Sequence, residues 1–220
     1  GVENVAIGTH TLSTATTALN NTAIGFDAMG DVKAGVAVDG CVAIGRNALL
    51  GNASNTTGIN GTVAVGASAL YALTTGIGNT AVGYKSLTTN VDGSYNTAVG
   101  WGALEFFEAD TLNHGDNTVF GFSAGRFIST GTHNTFVGGS AGQGITGTRI
   151  TGDGNTAVGE RSGLLLQGAA HENTFLGRNA GDVLTTGSDN TCIGYGADTD
   201  DATAINQTVI GHSTTGQADN

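Results

Sequence analysis

A five-residue segment that ends in glycine recurs twelve times, and no other feature of the sequence constrains the fold as strongly. Asn79-Thr80-Ala81-Val82-Gly83 is a typical copy, and the copies follow one another at short, slightly uneven intervals. A unit this short cannot bury its own apolar side chains and must stack on its neighbours. The repeat therefore predicts an all-β parallel solenoid of about twelve coils, forming a single domain over residues 1–220. The closing glycines are Gly8, Gly25, Gly45, Gly66, Gly83, Gly100, Gly121, Gly138, Gly159, Gly177, Gly194 and Gly211.

Large and small side chains alternate within each copy, as they do in a β-strand. Thr80, Val82 and Tyr84 alternate with smaller residues, so one face is β-branched or aromatic and the other is small. We expect a strand of five residues, a second short strand such as the one around Ser86-Leu87, and turns between them. So thin a coil has little interior, and its apolar face needs a covering surface. Identical chains around an axis are the simplest cover, which predicts a homotrimer or a similar assembly.

Asparagine opens most copies of the segment. Stacked asparagine side chains can hydrogen-bond to one another along a column, as they do in cross-β stacks. We therefore interpret these residues as structural and not as a ligand site. The structural residues that represent the motif are Asn79, Gly83, Asn96, Gly100, Asn134 and Gly138.

Charge and composition limit the partners of this chain. The formal net charge is −11 with only seven Lys and Arg residues, so nucleic acid is not expected as a partner. We expect no membrane insertion, because no apolar run reaches the roughly 18 residues of a spanning segment. Because the sequence opens on Gly1, we expect it to be a fragment of a longer fibre protein.

The Asn4-Val5-Ala6-Ile7-Gly8 and Asn21-Thr22-Ala23-Ile24-Gly25 segments resemble the repeat of trimeric autotransporter adhesin heads. The longer unit, Asn-Thr-Ala-Val-Gly-aromatic-x-Ser/Ala-Leu, is also similar to repeats of bacteriophage tail fibres. The resemblance implies a left-handed parallel β-roll in which three chains form a tight trimer. It further implies an extracellular location, on a virion appendage or a bacterial cell surface. Four lengthened intervals favour the tail-fibre branch, because adhesin coils are shorter and more uniform.

Aromatic residues that follow the closing glycine are candidate receptor contacts. Tyr84, Trp101 and Phe122 occupy this position in consecutive copies, and parallel stacking would bring them into one column. Such a column could hold the apolar face of a sugar ring, which makes a cell-surface glycan or protein receptor the expected partner. The alternative is packing at a chain–chain interface.

Loops that depart from the repeat are further candidates, because recognition residues often lie on loops held by a rigid scaffold. Glu105, Phe106, Phe107 and Glu108 form one such excursion, with capping of the core as the alternative role of its two phenylalanines. The segments 52–60 and 143–152 are the others.

No arrangement of residues indicates an enzyme or a cofactor. The five histidines are dispersed, and none has a Cys or Glu at the spacing of metal ligands. Asp198, Asp200 and Asp201 form the densest acidic cluster, but the glycine and glutamate of a calcium-binding EF-hand loop are missing. We interpret the cluster as a solvated turn, with an incidental cation as the alternative.

The favoured function is a structural and receptor-binding segment of a trimeric surface fibre. A purely structural spacer and an ice-binding solenoid with a threonine column are the alternatives. A hexapeptide-repeat acyltransferase is disfavoured, because the step from Val82 to Leu87 does not match a six-residue period and the lengthened intervals break its phase.

Overall fold

The computed structural model describes residues 1–52, 56–109 and 114–217. These residues contain twelve short parallel β-strands and no helix, so the chain is an all-β solenoid with one strand in each coil. Two compact units divide it at residue 116, with six strands in each. Whether they act as the single domain expected from the repeat stays a prediction.

The first unit, Gly1–Asp116, contains strands β1 to β6, stacked in chain order. They are β1 (Val5–Ile7), β2 (Thr22–Ile24), β3 (Val42–Ile44), β4 (Val63–Val65), β5 (Thr80–Val82) and β6 (Thr97–Val99). The second unit, Asn117–Asn220, contains strands β7 to β12, stacked in the same way. They are β7 (Thr118–Phe120), β8 (Thr135–Val137), β9 (Thr156–Val158), β10 (Thr174–Leu176), β11 (Thr191–Ile193) and β12 (Thr208–Ile210).

The strands pair in perfect repeat register. Ala81 lies beside Ala98 across a short interval of the sequence, and Ala43 lies beside Ala64 across a longer one. The additional residues of long intervals are therefore accommodated outside the strands, and each motif position forms a column within its unit.

The strands are three residues long, not the five that the repeat predicts. Asn79 lies before its strand, and its side chain bonds to neighbouring coils. Gly83 ends the strand because its φ of +137° leaves the region of extended L-residues. A Cβ at this position would also lie 2.3 Å from the carbonyl oxygen of Gly100, which holds the same place in the next coil. Glycine is therefore required at the motif's end by the contact between coils as well as by the backbone angle.

The expected second strand is also absent from the described residues. The segment after the glycine turns through left-handed backbone at Lys85 (φ 55°) and Leu87 (φ 52°), a conformation that cannot continue a strand. Turns of successive coils still hydrogen-bond, as from Leu87 N–H to the carbonyl of Ala103 at 3.0 Å. The second side of the coil is thus a stack of turns.

The middle residue of each strand points into the coil. Ala81 and Ala98 are fully buried, as are Leu87 and Leu104 from the turn stack. The small face of the repeat is therefore the inner face, and its small side chains permit a thin coil.

The asparagines form the hydrogen-bonded ladder that the repeat predicts. In the first unit, Asn96 donates from its backbone N–H (3.0 Å) and its Nδ2 (3.1 Å) to Oδ1 of Asn79. In the second, Asn155 donates in the same way to Asn134 and accepts both bonds from Asn173. All of these asparagines are buried, so the ladder satisfies polar groups that would otherwise lack partners inside the coil.

Both cysteines are free and buried. Burial raises the pKa of the Cys41 thiol to about 11 and that of Cys192 to about 12. Both thiols are therefore protonated at neutral pH and act as small core residues.

Candidate functional site

The first and third residues of each strand point away from the coil and form what we call the outer strand face. Its first column contains only threonine and valine, and its third column contains only aliphatic residues and one phenylalanine. In the first unit the third column comprises Ile7, Ile24, Ile44, Val65, Val82 and Val99. In the second it comprises Phe120, Val137, Val158, Leu176, Ile193 and Ile210.

The outer strand face is partly exposed in the single chain, and most exposed on the end strands β1 and β12. Ile7 is 59% exposed, Leu176 is 48% exposed and Ile210 is 67% exposed. No charged residue interrupts either column, although the chain carries a net charge of −11. A continuous apolar column of this kind is typical of a surface that binds another protein surface.

The residues that follow the closing glycines lie beyond the bend, along one border of the outer strand face, and we call them the rim. In the first unit the rings of Tyr84 and Trp101 stack with centroids 6.0 Å apart and planes inclined by 24°. Both side chains are exposed, at 44% and 39% respectively. The structure therefore brings these two predicted contact residues together. Phe122, the third, belongs to the second unit and is also exposed.

The rim of the second unit contains a mixed column whose members other than Tyr195 are missed by sequence reasoning. Arg178 Nε donates to a carboxylate oxygen of Glu160 at 3.0 Å, and its guanidinium lies 5.7 Å from the ring of Tyr195. Tyr195 in turn stacks on His212 with centroids 5.0 Å apart. Four consecutive coils are thus linked by an ion pair, a cation–π contact and a ring stack. Each residue of this column follows a closing glycine, so the sequence contains a signal for the column. The charged residues are less conspicuous at this repeat position than the aromatic ones.

The excursion at residues 105–108 does not protrude as a loop tip. Phe107 is fully buried and Phe106 is half-buried. The carboxylate of Glu105 is also buried and lies 3.8 Å from Nζ of Lys85, whose ammonium is 5.6 Å from the ring of Tyr84. Phe107 therefore packs in the core, and only Glu108 is exposed among the four residues.

The other two candidate loops differ in how far the structure describes them. Part of the segment 52–60 lies outside the described residues. In the segment 143–152, Ile145 and Thr148 form an antiparallel bridge. Thr146 to Arg149 are exposed, so this short hairpin projects from its coil and remains available for contact.

The acidic cluster is divided among separate interactions. Asp200 binds the side chain of Gln207, and Asp201 accepts hydrogen bonds from Thr203, which lower the pKa of the Asp201 carboxyl. Burial raises the pKa of Asp198 to about 7, and the neighbouring carboxyl of Asp182 contributes to the rise. No group of three or more His, Cys, Asp or Glu residues is placed to hold a metal ion in the described part of the chain.

No model of a known protein family matches the chain, and no curated protein matches it. Within residues 1–52, 56–109 and 114–217, no helix is of a length and hydropathy that could span a membrane.

Proposed function

We propose that this chain is a structural and receptor-binding segment of a homotrimeric surface fibre. The observation that carries the proposal is the outer strand face, whose uncharged, apolar third column the single chain leaves partly exposed. In the proposed assembly three chains, each a left-handed β-roll, bury this face against one another around a common axis. The parent would be a phage tail fibre or a bacterial adhesin.

Exposed residues outside the strands support a second role in attachment. Tyr84, Trp101 and Phe122 on the rim, the half-buried Phe106, the exposed Glu108 and the hairpin around Gly147 would contact a cell-surface glycan or protein. Three chains would present each contact three times, so weak individual contacts would add up to firm attachment. Phe107 is omitted from these contacts because it has no exposed surface.

Light scattering on the purified chain tests the assembly. We expect a mass of about 65 kDa, three times 21.8 kDa, since a closed symmetric oligomer would cover the face. Leu176→Lys would place a charge in the interface and should give a folded monomer. Val183→Lys is the matched control, because Val183 is similarly exposed (41%) but lies outside the strands. A wild-type chain of 21.8 kDa would overturn the trimer.

Binding of the assembled chain to bacterial cells tests the attachment role. Trp101→Ala should weaken binding several-fold, whereas Tyr71→Ala, which removes an equally exposed ring outside the rim, should not. Equal binding by both variants and by the wild type would reduce the segment to a spacer.

Ice binding is the second candidate function, and one observation favours it. All six strands of the second unit begin with threonine, and these threonines lie in register on the outer strand face. An in-register column of hydroxyl and methyl groups can order water. Thermal hysteresis in a freezing assay would support this function, and normal freezing would dispose of it.

A further inference from the structure

The most exposed aliphatic side chains among the described residues lie at the first and the last strand. Val2 is 62% exposed and Ile7 is 59% exposed at β1, while Ile205 is 54% exposed and Ile210 is 67% exposed at β12. Val2 and Ile205 hold the same repeat position, and Ile7 and Ile210 each end their strand. If the first coil of one copy stacked in register on the last coil of another, Val2 would lie on Ile205 and Ile7 would lie on Ile210.

The backbone of β12 has one edge that no other strand covers in the described part of the chain. Towards β11, the carbonyl of Gln207 accepts a bond from Thr191, and the N–H of Gly211 donates one. Because successive residues of a strand direct their N–H and C=O groups to opposite sides, Thr208 and Ile210 direct theirs away from β11. A groove of about 650 Å³ runs along this edge, lined by residues 205–210 and 214–217. The edge therefore has room for a further strand and the groups to bond it.

The backbone of β1 has a matching edge. Val5 donates its N–H to the coil of β2, and the carbonyl of Ile7 accepts a bond from that coil. The N–H and C=O groups of Ala6, the carbonyl of Asn4 and the N–H of Gly8 consequently point away from β2. Ala6 is also exposed, although the inner residue of β2 is fully buried. This edge offers the donors and acceptors that complement those of β12.

Docking β1 of one copy on β12 of another would repeat the bonding of an internal step. Thr208 would donate to Asn4 and accept from Ala6. Ile210 would donate to Ala6 and accept from Gly8. The two strands would be parallel and in repeat register, as β11 and β12 are within one chain.

Charge does not oppose this contact, although the net charge of −11 favours repulsion between copies in general. Residues 205–217 contain no Asp or Glu, and residues 2–14 contain only Glu3. In register, Glu3 would lie on Asn206, so no carboxylate of these two segments would face another. The two matching ends are thus also the segments on which an acidic chain can meet its own copy without repulsion.

We propose that copies of this chain associate end to end, with β1 of one copy added as the next parallel strand beside β12 of another. The contact joins two different surfaces, so it can repeat from copy to copy. It uses strand edges and not the outer strand face, and it is therefore independent of the proposed trimer. The side chain of Gln207 bonds to Asp200 of its own chain, so the asparagine ladder does not continue across the contact. The contact should be weaker than an internal step for this reason, and reversible.

Sedimentation equilibrium on the Leu176→Lys chain measures this association apart from the trimer, because that substitution is expected to block the outer strand face. The average mass should rise above 21.8 kDa as the concentration increases from about 10 μM to 1 mM, the range of weak protein contacts. A mass that stays at 21.8 kDa throughout would overturn the proposal. If Leu176→Lys does not fold, the wild-type chain should show the same rise above the mass of its smallest species, and a constant mass would again overturn the proposal.

Two variants in the Leu176→Lys chain locate the contact. Val2→Lys and Ile205→Lys each place a charge against an apolar side chain of the other copy, and each should weaken association at least about tenfold. An equal mixture of the two should instead form a pair of about 44 kDa, twice 21.8 kDa, because each variant retains one intact end. Val183→Lys adds the same charge in an inner coil and should associate like the unmodified chain.

Undiminished association of both end variants would overturn the proposal, since another surface would then be responsible. A mixture that stays monomeric while the Val183→Lys chain associates would also overturn it, because the contact would not join two different ends. Circular dichroism spectra that match the wild type establish that each variant is folded.

Discussion

The ring of Phe136 lies directly against Gly142, where other coils place a leucine. A Cβ at Gly142 would lie 2.4 Å from Cδ2 of that ring. In the coil of β6 the same two positions are Ala98 and Leu104, both fully buried. These two coils thus fill their interiors in opposite ways, one with a large residue on the strand and glycine on the turn, the other with a small residue on the strand and leucine on the turn.

This exchange predicts a strong coupling between two substitutions. Phe136→Ala should cost about 3–5 kcal/mol of unfolding free energy by opening a cavity, and Gly142→Leu alone should disrupt the coil by overpacking. The double variant recreates the Ala–Leu pair and should recover most of the loss, because Leu104 already has the φ of 52° that Gly142 needs. Urea denaturation of all four proteins measures the coupling. Additive losses would show that the two positions do not share one space.

Because the closing glycines stack on one another, we expect a methyl group added to one of them to lower the unfolding free energy strongly. Gly83→Ala should lower the unfolding free energy by about 3 kcal/mol or more, because φ is +137° and the Cβ would meet the carbonyl of Gly100. Gly139→Ala is the matched control, since a Cβ there has nothing within 4 Å. Thermal unfolding followed by circular dichroism compares them. Similar melting temperatures would contradict the steric role of the column.

The asparagine ladder predicts a large loss from removing one member. Asn155→Ala removes the bonds that Nδ2 donates to Asn134 (3.0 Å) and to the carbonyl of Ala170 (2.8 Å), and both bonds accepted from Asn173 (3.2 and 2.9 Å). Buried partners left unsatisfied should cost roughly 2–4 kcal/mol in all. Thr174→Ser, on the exposed side of a strand, should change stability by less than about 0.5 kcal/mol. Urea denaturation separates the two, and a similarly small loss for Asn155→Ala would argue against the ladder.

We expect the folding stability of the chain to depend on pH through Asp198. It occupies the turn position at which Leu87 and Leu104 fill other coils, and burial raises its pKa to about 7. An unfolded aspartate has a pKa of about 3.9, so between these values the folded chain binds the additional proton and stability falls as pH rises. Above about pH 7 the Asp198 carboxyl is ionised in the folded and the unfolded chain alike, and the stability that its protonation contributes at lower pH is lost.

Asp198→Asn should remove that part of the pH dependence and stabilise the chain at pH 8 by on the order of 1 kcal/mol, after allowance for solvent screening. Urea denaturation at pH 5 and pH 8 measures the change. A wild-type chain that is equally stable at both pH values would contradict the raised pKa, provided that Asp201→Asn, a substitution at an exposed carboxyl, behaves like the wild type.

The sequence predicts those features that repeat along the chain. The parallel stack, the register of Ala81 with Ala98 and the asparagine ladder all follow from a motif whose copies must face one another. The alternation of large and small side chains overestimates the strand length. Asn79 and Gly83 belong to the alternating pattern, but Asn79 bonds within the ladder and Gly83 forms the bend that ends the strand. It also predicts a strand where the turn stack lies, because left-handed backbone at Leu87 is rare for leucine.

Features that combine different positions or depart from the repeat are harder to predict. Burial of Phe107 depends on packing against another coil, since its Cε1 would lie only 2.7 Å from a Cβ at Gly93. The mixed column on the rim of the second unit requires side chains from four coils, and its members look unrelated because Glu160, Arg178 and Tyr195 are far apart in the sequence. Spatial proximity in a solenoid follows coil number and not residue number.

The in-register pairing also means that axial distance within each unit is counted in coils. The short interval from Gly83 to Gly100 and the longer one from Gly45 to Gly66 advance the stack by the same step of about 4.8 Å, because only the strands set the spacing. Sequence can therefore be gained or lost between strands without moving any residue of the column above or below it. Each closing glycine thus marks one coil. The segments between strands can change in length and sequence during evolution without changing the spacing between coils.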